Sequence, residues 1–283
     1  MKNKFLQISM LALTAASLTF ASCSKEATTT TSTTPVVNEI SVPETNTSML
    51  NKYTGTLCGP CGSWGWDMAV ELIDYSKTKA IYVGTFSQNF VAQGFISTTA
   101  TTWDKALTGS SLGYPTFAVN NVAQLDRSSG VNTNSEKAKC KAAIDAHKSA
   151  TVMANVGFKT SWKQDAEGFW TVEIKSRTKF FQENSGEFYL GCYLLEDKAK
   201  WNQTGHTPST NVEHHHVFRQ AIGGLDYGEL ISSGAVTSGK SIEKTYSSLI
   251  LKTYVKENME VLFVIWKKNG TKYQFINASS DQK

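Results

Sequence analysis

Ser48-Met49-Leu50-Asn51-Lys52-Tyr53-Thr54-Gly55-Thr56-Leu57-Cys58-Gly59-Pro60-Cys61-Gly62-Ser63 decides how the chain folds. Met49, Leu50 and Tyr53 make a short apolar run that reads as a strand, and Gly55 begins a turn. From residue 63 to about 77, Trp66, Ala69, Val70, Ile73 and Tyr75 recur near a 3.6-residue period, which predicts a helix. The Cys-Gly-Pro-Cys segment therefore lies where a strand ends and a helix begins. There a thiol meets unpaired N–H groups and the positive end of the helix dipole, which favour the thiolate. The two-residue spacing lets Cys61 resolve a mixed disulfide formed on Cys58. Half a zinc site is the other use of such a spacing, and the sequence holds no second Cys-x-x-Cys to complete one.

Downstream, residues 80–86 (Ala-Ile-Tyr-Val-Gly-Thr-Phe) read as a strand, and Gly113-Tyr114-Pro115-Thr116-Phe117-Ala118-Val119 enters another. Asn120-Asn121 then suits a tight hairpin into residues 122–125. A helical pattern over 134–150, with the capping box Thr133-x-x-Glu136, closes this half. The Cys-Gly-Pro-Cys and Tyr-Pro-Thr-Phe segments together resemble the thioredoxin superfamily. The resemblance implies that Cys58 is the nucleophile, Cys61 the resolving thiol, and Pro115 a cis-proline facing them. Pro115, Tyr114 and Thr116 would offer an extended substrate its backbone partner, with Tyr114 setting fit.

The sequence departs from that pattern in five places. Lys52 stands where thioredoxins place a buried acid that assists the resolving thiol, and Leu57 replaces a tryptophan. Gly62 and Gly65 weaken the first helical turn by about 1 kcal/mol each relative to alanine. The span before Pro115 carries an insertion near 88–111. A charged Lys52 cannot accept a proton, so slow turnover is expected.

The remaining sequence sets the context. At 283 residues the chain is about two domains long. Its 40% hydrophobic content fits a globular body. Lys2-Asn3-Lys4 and the apolar run 5–20 read as a secretory signal over 1–22. It ends Phe20-Ala21-Ser22-Cys23, which resembles a bacterial lipobox and implies a lipid on Cys23, with cleavage near Ala21 as the alternative. Ser24 after that cysteine resembles lipoproteins sorted to the outer membrane, facing either the periplasm or the medium. Residues 23–40, rich in threonine, read as a disordered tether. Without the signal, 26 basic residues face 24 acidic ones, so nucleic acid is not an expected partner.

From residue 151 the pattern changes to alternation. Val152, Ala154, Val156 and Phe158 alternate with polar residues, and 169–174, 187–195 and 261–266 read as further strands. Asn269-Gly270 marks a hairpin. The expected architecture is an α/β thioredoxin-like domain over 41–150 followed by an all-β, sandwich-like domain over 151–283. Cys140 and Cys192 read as small buried hydrophobes, with a bridge between them as the alternative. His214 and His216 share one face of a strand, while His215 points to the other. Two imidazoles fall short of the three protein ligands of a catalytic zinc, so they read as half-exposed residues and no metal or other cofactor is assigned.

The lipobox, the Thr-Gly-Thr-x-Cys-x-x-Cys entry and His214-His215-His216-Val217-Phe218-Arg219 together resemble the Omp-twenty-eight-related outer-membrane lipoprotein family. That resemblance implies an outer-membrane protein held by lipid, with a thioredoxin-like part and a β part. Two functions follow as expectations. One is thiol–disulfide exchange on envelope proteins or peptides; the other is a surface or adhesion lipoprotein in which Cys58–Cys61 is a structural bridge.

Overall fold

The computed structural model describes residues 39–87, 90–108 and 113–282. The signal peptide, Cys23, nearly all of the tether and part of the 88–111 insertion lie outside the described residues. The first half runs β1 (Ser48–Thr54), α1 (Gly59–Gly62), α2 (Trp64–Ser76), β2 (Ala80–Phe86), α3 (Thr98–Thr108), β3 (Thr116–Val119), β4 (Val122–Ala123) and α4 (Thr133–Ser149). Then come β5 (Ala154–Gln164), β6 (Trp170–Phe180), β7 (Asn184–Ser185), β8 (Glu187–Glu196), β9 (Ala199–Trp201) and β10 (Val212–His214). The chain finishes with β11 (Val217–Ala221), β12 (Glu229–Ser232), β13 (Ala235–Val236), β14 (Ser241–Ile250), β15 (Met259–Asn269) and β16 (Lys272–Ser280).

The fold is β-rich and centres on a mixed sheet in the order β16-β15-β8-β11-β2-β1-β3-β4. β1 and β2 are buried at every position and pair in parallel, while β3 runs antiparallel to β1. Strands from both halves of the sequence share this sheet, because the free edge of β2 takes β11. Gly84 makes the join: its N–H donates to the His216 carbonyl at 2.9 Å, and a Cβ there would lie 3.0 Å from the His215 carbonyl oxygen. A second sheet, β14-β6-β5, faces β8 and β15 across a core containing Val156, Val172, Ile174, Leu190, Leu194 and Phe263. The alternation after residue 151 thus becomes one inner face of a two-sheet packing.

Several local expectations shift. Asn132, not Thr133, caps α4, its side chain accepting from the Ser135 N–H at 3.0 Å. Glu136 is instead fully buried and accepts from Arg127 Nε at 3.3 Å. Asn120 and Asn121 both take positive φ (53° and 63°) and turn β3 into β4, but the strand after them ends at Ala123. The insertion contributes α3, whose Trp103 is buried against Tyr193, Phe218 and Trp266. Cys140 and Cys192 are free thiols in separate cores, one under α2 and α4 and one between the two sheets, so the alternative of a bridge between them is overturned.

The core face of α2 is rotated from the expected stripe. Gly65, Met68, Ala69, Leu72 and Ser76 are buried, whereas Val70 is 57% exposed. Met68, Ala69 and Leu72 pack into the core with Leu50, Phe117 and Ile144, while Gly65 lies against the Pro115 ring, a position that hydropathy alone does not mark. Trp66, Ala69, Val70 and Ile73 line a separate cavity beside β2 and β10.

Candidate functional site

Cys58 caps α1 from an extended conformation (φ −92°, ψ 114°), and its sulfur accepts from the Cys61 N–H at 3.2 Å. Pro60 falls in the first turn, where a missing N–H is harmless. Cys58 and Cys61 are joined in a disulfide with a Cα–Cα distance of 5.2 Å. Cys58 keeps 7% exposure and Cys61 none. Leu57 before them is 59% exposed, and its N–H donates to the carbonyl of Phe90, which is 63% exposed. Cys58 is thus nearly covered, with the exposed Leu57 before it in the chain and the exposed Phe90 bonded to the Leu57 backbone.

Pro115 is buried at the start of β3, and the Tyr114–Pro115 bond is cis. Its ring packs on α2 at Gly65, where a Cβ would lie 2.4 Å from the Pro115 Cγ. Gly65 thus serves the site by its size, whatever it costs the helix. The neighbours of Pro115 are turned inward. The Tyr114 hydroxyl joins Ser87 and Asp104 in a hydrogen-bonded cluster, and burial pushes its phenol well above the ordinary range. Thr116 is fully buried and donates to the Gly113 carbonyl at 2.7 Å.

Lys52 lies beneath the motif. On β1 it shares a face with Leu50 and Thr54, toward α2, at 4% exposure. Its Nζ donates to the Cys61 carbonyl at 3.1 Å and stands 5.3 Å from the Trp66 ring centroid. Burial pulls the ammonium down to about 7, with Asp67 partly opposing the shift. A shift of this size bears on the slow turnover expected of a charged Lys52, because burial disfavours the charged form.

Residues 203–208 pack on the motif from the second half of the chain. The Gln203 amide, 1% exposed, donates to the carbonyls of Gly55 and Cys58 at 3.1 Å each. The Thr204 N–H donates to the Thr56 carbonyl at 2.9 Å. A Cβ on Gly62 would lie 2.2 Å from the Thr204 oxygen, so this glycine too is required by contact. His206 presents its ring to Trp66 at 4.5 Å between centroids. Sequence reading missed this contact. The Gly- and Pro-containing string marks a loop, but nothing in it names Cys58 as the target.

The three histidines part company, which corrects the expected shared face. β10 stops at His214, and His216 takes a positive φ of 48°, so strand alternation fails between them. His214 is 3% exposed among Trp66, Phe86 and Phe95, and burial depresses it to about 3. His215 pairs with Asp197 and His216 with Glu260, each at 2.8 Å. His214 and His216 are therefore buried, not half-exposed neighbours on a polar face, while His215 is exposed. Among the described residues, no three His, Cys, Asp or Glu side chains gather as metal ligands.

The family model described as outer membrane protein Omp28 matches residues 111–280, more than half of the chain. That span contains Pro115 and residues 203–208 and leaves out Cys58 and Cys61. No curated protein matches. Among solved structures, HBP35 of Porphyromonas gingivalis aligns with a TM-score of 0.63 at 15% identity, over 85% of this chain and 76% of that one. At that identity it shows likeness of fold alone. A domain of the outer membrane lipoprotein Omp28 from the same organism aligns with a TM-score of 0.30 at 16% identity, over 46% of this chain and 86% of that one. Among the described residues no helix is long and apolar enough to cross a membrane.

Proposed function

This chain belongs to the Omp28 family of outer membrane proteins, and from that premise we propose that it is a lipid-anchored thiol–disulfide exchange protein of the envelope. Its location is the outer membrane. The lipid sits on Cys23, and the part of the chain before residue 150 is thioredoxin-like. Cys58 attacks a substrate disulfide, Cys61 resolves the intermediate, and Pro115 holds the edge of the site.

One observation carries the reading. The Cys58–Cys61 bridge stands at the start of α1, Cys58 keeping 7% exposure and Cys61 none, with the Pro115 ring packed on the following helix, α2, at Gly65. A helix start stabilises the outer thiolate, and the buried partner attacks only when a mixed disulfide brings sulfur to it. Leu57 and Phe90 beside Cys58 supply apolar contact for an unfolded or extended polypeptide.

A second reading rests on Gln203, whose amide ties the Gly55 and Cys58 carbonyls to the second half of the chain. In that reading the bridge braces the junction of a non-enzymatic surface or adhesion lipoprotein.

Trapping in cells separates the two. Under the exchange reading, Cys61→Ser accumulates mixed disulfides with envelope proteins, Cys58→Ser accumulates few, and the double variant none. No trapped partner in Cys61→Ser, with stability lost in either single variant, establishes the brace. Separately, Cys23→Ala is expected to release the chain from the membrane fraction, and retention after a carbonate wash refutes the lipid anchor.

A further inference from the structure

A lysine in the middle of a fully buried strand requires a reason. Taking an ammonium out of water costs several kcal/mol unless a partner or deprotonation offsets it. Among the described residues, no carboxylate lies within ion-pair distance of Lys52 Nζ. The amine's hydrogen bond goes to the backbone carbonyl of Cys61, the residue whose thiol must lose a proton before it can attack. Other groups around it do not remove its charge problem. Asp67 reaches it across α2 only as a distant negative charge, and the Trp66 ring lies 5.3 Å away. From β2 comes Tyr82, and from the segment at the end of β10 come His214 and His215, all lining the same cavity of about 40 Å³. His214 is held neutral by burial, and Tyr82 is held protonated. His215 is raised by its bond to Asp197, so its charge is already committed.

We propose that Lys52 is the proton acceptor for Cys61 during resolution of the mixed disulfide, replacing a carboxylic acid with an amine. This rests on the exchange reading. The Cys58 thiolate attacks one sulfur of a polypeptide disulfide; a Cys58–substrate S–S bond forms, and the first substrate thiolate leaves and is protonated by solvent. The Cys61 S–H then gives its proton to the Lys52 amine, and its sulfur attacks Cys58 Sγ. The Cys58–Cys61 bond forms and the Cys58–substrate bond breaks, its electron pair leaving on the second substrate thiolate, which takes a solvent proton. The substrate disulfide gains two electrons and the Cys58/Cys61 dithiol loses two. The ammonium left on Lys52 stabilises any thiolate that remains nearby. Its proton returns to solvent through the adjoining cavity, whose volume admits one or two waters. The buried amine sits near neutrality, at about 7, which lets it both take and release the proton.

The reduced chain mixed with dithiobis(nitrobenzoate) tests this. One equivalent of coloured thiolate reports attack by Cys58, and a second reports resolution by Cys61. In the wild-type chain the second phase is expected to accelerate through an inflection near pH 7. Lys52→Met should slow the second phase relative to the first at least about tenfold and remove that inflection. Lys52→Asp, which restores a proton acceptor, should recover most of the second phase; Lys52→Arg should not. A second phase and inflection that survive in Lys52→Met overturn the role of Lys52 while leaving exchange intact. A wild-type chain with no second phase overturns the exchange reading, and this assignment with it.

Discussion

Gly65 and Pro115 meet so closely that a methyl group between them has no room: a Cβ on Gly65 would lie 2.4 Å from the proline Cγ and 3.1 Å from its Cβ. Helix propensity favours alanine at Gly65 by about 1 kcal/mol, and overpacking opposes it by about 1–3 kcal/mol. The contact is ring carbon against helix backbone on buried elements, so overpacking wins. Gly65→Ala is expected to lower unfolding stability by up to about 2 kcal/mol in a denaturant titration. Gly59→Ala, where nothing lies within 4 Å, is the control and should be neutral or slightly stabilising.

Lys52 makes stability depend on pH in a stated direction. Its amine titrates at about 7 in the fold and near 10.4 in the unfolded chain. Between those values the unfolded chain holds more protons, so stability rises with pH across the window, by up to about 1.4 kcal/mol per unit. Below pH 7 both states are protonated and the gain is gone. Lys52→Met should abolish this slope and, at pH 7, be more stable than the wild-type chain by about 1–4 kcal/mol. The difference between the two titrations from pH 6.5 to 9 isolates the lysine. Parallel curves refute the burial of a titrating amine.

Gln203 is the hinge pin between the halves. Removing its amide leaves the buried Gly55 and Cys58 carbonyls without that donor, at about 1–3 kcal/mol. Gln203→Ala should therefore lose stability of that order and, after reduction, expose Cys58 to faster alkylation. Stability lost without faster alkylation means that the loop braces the fold and does not shield the thiol.

The cysteines should label in a fixed order. After reduction, Cys58 should react with an alkylating reagent near pH 8 well before Cys61. Cys140, fully buried and pushed up to about 12 by burial and Glu136, should stay unlabelled until the chain unfolds. Cys192, also raised by burial, should behave the same way. Peptide mass spectrometry at timed intervals gives the order. Early labelling of Cys140 or Cys192 contradicts the two cores in which they are placed.

The sequence determined whatever is periodic or local in this chain. β2 appears at the residues its apolar run marks, Asn120-Asn121 and Gly270-Thr271 make their turns, and Cys58 caps the short α1, in whose first turn Pro60 fits. These depend on backbone preferences within a few residues, which a sequence displays directly. Only the tertiary structure decided what lies across the sheet from what. The core stripe of α2 uses Gly65 and Ser76, which no hydropathy pattern would choose, because the opposing surface is a proline ring and a sheet. His216 leaves its strand because β11 must join the edge of β2 at Gly84. Gln203 reaches Cys58 over 145 positions of sequence. Lys52 carries the clearest case: on a strand it reads as a surface charge or a lost acid, and its buried amine beside Cys61 exists only once α1 has closed over β1. Desolvation is a property of the assembled interior, so the chemistry of that amine is written nowhere in its neighbours along the chain.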